Sequence, residues 1–198
     1  MPSTAPDTHT PTPVQARGRY STRTIMTAVA IGAGVGVVLI PLNFISQPIS
    51  VTMPIVAVVF YGVWGMAALI PLAHMRLRGT GVMGSAAAGL VSSLSPYGLF
   101  MVVMMLGWGL LMELPFALTR YRYFGWRMFL FAGLVTGVLS CAMSWAMLDL
   151  SSMGIGLAIA VCAMQLVSFA VCSLLSLLIA GALGRAGIGG RRRDPNEA

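Results

Sequence analysis

Arginine is placed along this chain in a way that restricts what the rest of it can fold into. All 12 basic residues are arginines, and they fall in four groups: Arg17, Arg19 and Arg23; Arg76 and Arg78; Arg120, Arg122 and Arg127; and Arg185 with Arg191, Arg192 and Arg193. Successive groups are separated by about 40 to 60 residues, enough to cross a bilayer and return at about 20 residues per span. If every group stays on the cytoplasmic side, each interval must hold an even number of crossings. Three helical hairpins meet that condition and leave no arginine on the outer side. The expectation is an all-α integral membrane protein of six transmembrane helices with cytoplasmic N and C termini, multi-pass in a bacterial plasma membrane.

Composition closes the alternatives. Charged residues make up 9% of the chain, against about 25% in a soluble domain. The apolar residues occur in runs rather than in the alternation of an outer-membrane barrel. The net charge of +7 therefore reads as topology and attraction to anionic membrane lipid, and no nucleic-acid partner is expected.

Residues 1–23, rich in Pro, Thr and Ser, read as a disordered cytoplasmic tail without a secretory signal. Residues 24–184 form the membrane domain and 185–198 a basic cytoplasmic tail. The first span is expected over Thr24 to Phe44, with Pro48 turning the chain outside. The second runs from Met53 to His74. A short third segment, Gly81–Leu94, is ended by Ser95-Pro96, because proline disfavours helical geometry in the residue before it. The remaining spans are Tyr97–Thr119, Trp126–Leu148 and Met153–Gly184. Hydropathy alone would not make the third segment a crossing; charge parity between Arg78 and Arg120 does.

Few residues are able to carry chemistry. Ala28, Gly32 and Gly36 form a small-residue stripe on the first helix, with Ala30 and Gly34 beside it. Such a stripe lets two helix backbones approach, either within the chain or as a docking face for another subunit. Glu113 and Asp149 are the two acids near the membrane region. Glu113 sits roughly 9 Å from the inner end of its helix, where it suits pairing with Arg120, Arg122 or His74 as well as ligand binding. Asp149 ends the fifth helix at the outer surface.

The face Met101, Met104, Met105, Trp108 and Met112 reads as packing rather than a copper(I) site. Trp64, Trp108, Trp145, Tyr61 and Tyr97 are candidates to stack on a planar ligand, with Asn43, Gln47 and Gln165 for polar contacts. Cys141, Cys162 and Cys172 lie in apolar spans and read as small packing residues, with neither a zinc site nor a disulfide framework. No nucleophile–base pair, paired carboxylates or phosphate loop is present, so no enzyme activity and no cofactor are expected.

The stretches Tyr61-Gly-Val-Trp64, Arg76–Gly81 and above all Gly109-Leu-Leu-Met-Glu113-Leu-Pro-Phe-Ala-Leu-Thr-Arg120-Tyr-Arg122 resemble the YkoE family. Its members are substrate-binding S components of energy-coupling factor (ECF) transporters. The resemblance implies a six-helix receptor whose partners are a coupling transmembrane T component and two ABC-type ATPases, with Ala28, Gly32 and Gly36 facing the T component. It implies a vitamin-like cargo, thiamine or its hydroxymethylpyrimidine precursor. The substrate site is then expected at Asn43, Trp108, Trp145, Asp149 and Gln165. One departure bears on the cargo: the segment Gly84–Ser93 carries no acid, where the family has carboxylates, which weakens the case for a cationic ligand. A non-transport membrane scaffold or assembly factor is the competing reading.

Overall fold

The computed structural model describes residues 21–147, 152 and 154–188. Most of the two expected tails, and Asp149, lie outside them. The described chain is all helical: α1 (Thr22–Thr52), α2 (Pro54–Ala57), a 3-10 turn (Val58–Phe60), α3 (Tyr61–Met75), α4 (Thr80–Ser92), α5 (Phe100–Leu118), α6 (Trp126–Met147) and α7 (Ile155–Arg185). Five stretches are long and apolar enough to cross a membrane: α1, residues 55–75, α5, most of α6, and α7. The 13 residues of α4 rise only about 20 Å, short of a hydrocarbon core of about 30 Å.

The first helix corrects one expectation. It does not stop near Phe44 but runs through Pro41 and Pro48 to Thr52. Proline is tolerated inside membrane helices when neighbouring groups serve the backbone. Beyond Pro41, the hydroxyls of Ser46, Ser50 and Thr52 also bond back to the carbonyls of Asn43, Gln47 and Pro48, so these polar side chains are satisfied within the helix. The predicted break at Ser95-Pro96 is present, as a series of turns between α4 and α5.

Close packing reveals the helix directions. Gly32 and Gly36 of α1 lie against Gly84 and Ala88 of α4, so these two helices run parallel. Gly109 of α5 lies against Ser85, and Gly133 of α6 against Ser173 of α7, giving antiparallel neighbours. On α3, Gly62 sits so close to Ser168 of α7 that a Cβ would fall 2.5 Å from the Ser168 carbonyl oxygen. The Gly62 N–H donates to Ser168 Oγ (3.1 Å), which donates in turn to the Val59 carbonyl (2.6 Å).

With these directions, the described arginines emerge at one end of the bundle and the 93–99 turns lie towards the other. The core between them is built from Leu39, Trp64, Leu69, Leu72, Phe116, Phe129 and Phe169. Met101, Met105, Trp108 and Met112 join it, so this face of α5 is packing.

The cysteines provide a second correction. Cys141 on α6 and Cys162 on α7 form a disulfide, with Cα atoms 5.4 Å apart, and Cys172 is free and buried. Glycines at 133 and 137 bring the two helices close enough for the pair to meet.

Candidate functional site

Away from the arginines, the ends of α1, α3, α5 and α6 enclose a cavity of about 240 Å³. Aromatic rings from three places in the chain line it: Tyr61 and Trp64 on α3, Tyr97 in the turns, and Phe100 and Trp108 on α5. Tyr61 stacks on Trp64 with centroids 5.2 Å apart, and Tyr97 meets Trp64 edge-on at 6.4 Å. Hydroxyl groups of Tyr61, Tyr97, Ser46, Ser50, Ser140 and Ser144 supply most of the polar lining, and no charged side chain among the described residues lines the cavity.

The polar residues behind the lining hold it in place. Asn43 is fully buried, and its side chain accepts from Trp64 Nε1 (3.1 Å) and donates to Ser95 Oγ (3.2 Å). One residue thereby fixes the tilt of the central ring and ties α1 to the turn after α4. Gln165 is also fully buried and donates through Nε2 to Ser144 Oγ (2.6 Å) on the cavity wall. Three buried side-chain polar atoms among the described residues have no partner: Trp108 Nε1 on the cavity wall, Gln165 Oε1 behind it, and Ser85 Oγ at the α4–α5 contact. An unpaired buried polar group is costly, on the order of 1–3 kcal/mol each, and native structures seldom leave one without a purpose.

The five residues expected at the substrate site are thus dispersed. Trp108 lines the cavity; Asn43 and Gln165 stand behind it. Trp145 does not reach it. It lies on the outer face of α6 and is 47% exposed, although Ser144 beside it does line the wall. Successive helical residues point about 100° apart, so the sequence reading missed the inward position by one residue. Asp149 lies outside the described residues. Sequence reasoning passed over the serines at 46, 50, 140 and 144, which carry no spacing signal of their own.

The arginine end is built differently. Glu113 is 4% exposed. Its carboxylate accepts from the N–H of Gly79, the N–H of Val82 (3.0 Å) and the Tyr121 hydroxyl (2.6 Å). Gly79 is the N-cap of α4, with φ +74°, and Val82 lies in its first turn. A carboxylate from α5 therefore caps a different helix at its positive end. Tyr121 reaches it from a turn in which Arg120 and Tyr121 both have positive φ, and the Arg78 guanidinium sits 5.5 Å from the Tyr121 ring centroid. His74 faces the carbonyls of Ala180 (3.3 Å) and Ile188 (2.7 Å), tying α3 to the end of α7. The partners expected for Glu113, Arg120, Arg122 or His74, are replaced in these contacts by the α4 terminus and Tyr121.

Of the two readings of the small-residue stripe, the contacts within the chain match packing. Ala28, Gly32 and Gly36 are buried. A Cβ on Gly32 would fall 2.1 Å from the Gly84 carbonyl oxygen, and one on Gly36 would fall 2.8 Å from the Ala88 carbonyl oxygen. The neighbouring Ala30 and Gly34 are exposed.

Residues 23–139, from α1 into α6, match the family described as ABC-type cobalt transport system, permease component. The chain belongs to this family. Comparison with curated proteins gives no match. Among solved structures, the fold is similar to one described as the crystal structure of an S-component of ECF transporter. The TM-score is 0.77, with 21% identity over 86% of this chain and 89% of that one. The resemblance read from the sequence thus holds at the level of the fold. For this permease-family chain, the Gly109–Arg122 segment that carried the resemblance is the segment that builds the Glu113 cap.

Proposed function

We propose that this chain is the substrate-binding subunit of an ECF-type importer in a bacterial plasma membrane. In this reading six segments cross the bilayer, the arginine end and both termini are cytoplasmic, and the aromatic cavity opens towards the outside. A T component and ABC ATPases supply the energy for release inward, and the chain itself catalyses no reaction.

The observation that carries the proposal is the aromatic box with Trp108 on its wall, whose Nε1 donor has no partner. A flat ring with an acceptor would suit that donor while lying among Tyr61, Trp64 and Tyr97. The volume of about 240 Å³ falls below the roughly 300–1,000 Å³ of typical ligand pockets, which suits a single ring with short substituents. Among the described residues the cavity wall offers hydroxyl groups and no carboxylate, a lining that suits a neutral heteroaromatic of the hydroxymethylpyrimidine type.

The family description names cobalt. Among the described residues no group of three or more His, Cys, Asp or Glu could hold a metal ion, which favours an organic cargo. Equilibrium binding of radiolabelled hydroxymethylpyrimidine to purified protein tests this reading. Saturable binding that falls roughly tenfold in Trp108→Phe, the loss expected for one buried hydrogen bond, supports it. Retention of cobalt(II) with no response to any heteroaromatic would refute it.

A further inference from the structure

Two donors on the wall of the aromatic cavity have no acceptor among the described residues. Trp108 Nε1 on α5 is one. The other is the hydroxyl of Ser144 on α6, and its direction is set from behind. Gln165, fully buried on α7, donates through Nε2 to Ser144 Oγ (2.6 Å). A serine oxygen carries one proton and two lone pairs. With one lone pair filled by the amide, the proton must turn to another side of the oxygen. A helical serine or threonine commonly bonds the carbonyl one turn back, and Thr136, Ser173 and Ser176 on the same two helices do so. Ser144 does not, and the cavity it lines is the side left open to its proton.

The orientation of the Gln165 amide has the same physical basis. Turned round, it would accept from Ser144 and leave both of its N–H groups buried without an acceptor. As placed, it donates one of them and leaves Oε1 unpartnered. Buried carbonyl oxygens tolerate that condition better than buried N–H groups. The α1 wall has the opposite character. Ser50 gives its proton to the Gln47 carbonyl (2.7 Å), and Ser46 turns its own to the Asn43 carbonyl (3.4 Å). Both serines therefore offer lone pairs to the cavity they line.

We propose that Ser144 contacts the cargo as a hydrogen-bond donor and that Gln165 is the positioning residue that aims it. Ser144 and Trp108 then form a two-donor side on α5 and α6, which selects a ring carrying acceptor atoms such as ring nitrogens, with any amino group directed to α1. This inference rests on the reading of the cavity as a cargo site. It gives a role to a buried glutamine that stands behind the wall: Gln165 acts on the ring through Ser144.

The full-length protein in detergent is titrated with hydroxymethylpyrimidine and with its benzene analogue, which keeps every substituent and replaces both ring nitrogens by C–H. The quantity read is the ratio of the two dissociation constants. Wild type should favour the pyrimidine roughly tenfold or more, as expected for hydrogen bonds that the analogue cannot accept. Ser144→Ala and Gln165→Leu should each lower that preference several-fold. The double variant should lower it no further than Ser144→Ala alone, because both changes act through one hydroxyl. Affinity for the benzene analogue should stay nearly unchanged in all three, which a general loosening of the wall would not allow.

A preference that survives both single substitutions would overturn the proposal while leaving the cavity a cargo site, and so would equal binding of the two ligands by wild type. Equal loss of both ligands in Gln165→Leu would assign that residue to the fold and remove its positioning role. Failure of folded wild type to bind either ligand would overturn the proposal together with the reading it rests on.

Discussion

The two ends of the bundle treat polar groups in opposite ways. At the arginine end, the one described intramembrane acid is fully engaged: Glu113 takes two backbone N–H groups and a phenol. At the other end, Asn43 is likewise engaged with Trp64 and Ser95, but Trp108 Nε1 and Gln165 Oε1 are buried without partners beside a cavity. A buried polar group in lipid is expensive whatever its purpose, so rarity alone does not distinguish structure from function. Saturation combined with position does: Glu113 is complete and fixes the fold, Ser85 Oγ is incomplete inside a helix contact, and Trp108 Nε1 is incomplete on a cavity wall, where a ligand would complete it.

The largest effect that sharpens this comparison is expected at Gly32. Gly32→Leu would drive a side chain into the backbone of α4, which cannot yield as a flexible side chain would. No monodisperse protein should be recovered by size-exclusion chromatography. Normal recovery with impaired subunit assembly would assign the stripe to docking instead of packing.

Next, Glu113→Leu strands the N–H groups of Gly79 and Val82. It should lower the thermal unfolding midpoint by an amount corresponding to about 3 kcal/mol or more. Any loss of ligand affinity should be recovered when the protein is assayed well below that midpoint. Affinity lost from a fully folded Glu113→Leu protein would move Glu113 into the binding site.

The Cys141→Ser/Cys162→Ser pair removes a link across 21 residues of sequence, a contribution of about 3 kcal/mol at most. The double variant should be equally stable in reducing and oxidising buffers, whereas the native chain should gain stability in the oxidising one and match the variant closely in the reducing one. Smallest of all, Trp145→Ala should leave both stability and ligand affinity within about 0.5 kcal/mol, as for surface sites generally. A tenfold loss of affinity there would bring Trp145 back into the site.

Much of the fold could be read from the arginines, because charge parity operates on the whole chain and does not depend on local propensity. Ser95-Pro96 marked the short segment that became α4, and charge parity asks it to cross although its 13 residues fall short of the hydrocarbon core. Charge parity could not find the end of α1, because Pro41 and Pro48 are breakers in water but are accommodated in a long membrane helix. The disulfide was invisible because Cys141 and Cys162 belong to different helices, and their meeting depends on glycine contacts between α6 and α7. The candidate site was half legible. Ring chemistry pointed to Tyr61, Trp64, Tyr97 and Trp108, all of which line the cavity. Trp145 was named for the same chemistry, but only the packing of α6 decides which of Ser144 and Trp145 turns inward. Tyr121 completes the Glu113 cap from a turn with positive φ, and nothing in the sequence marks a tyrosine for that conformation.

The account's central claim is that the aromatic cavity receives a small heteroaromatic cargo. Tryptophan-fluorescence titration of the detergent-purified protein tests it most directly, since Trp64 and Trp108 both line the cavity. Hydroxymethylpyrimidine, thiamine and a panel of other vitamins serve as ligands, with Trp108→Phe as the control. The account predicts saturable quenching at submicromolar ligand by one neutral ring compound, with a weaker response in Trp108→Phe. A flat response across the panel from folded protein, or quenching that Trp108→Phe leaves unchanged, would contradict it.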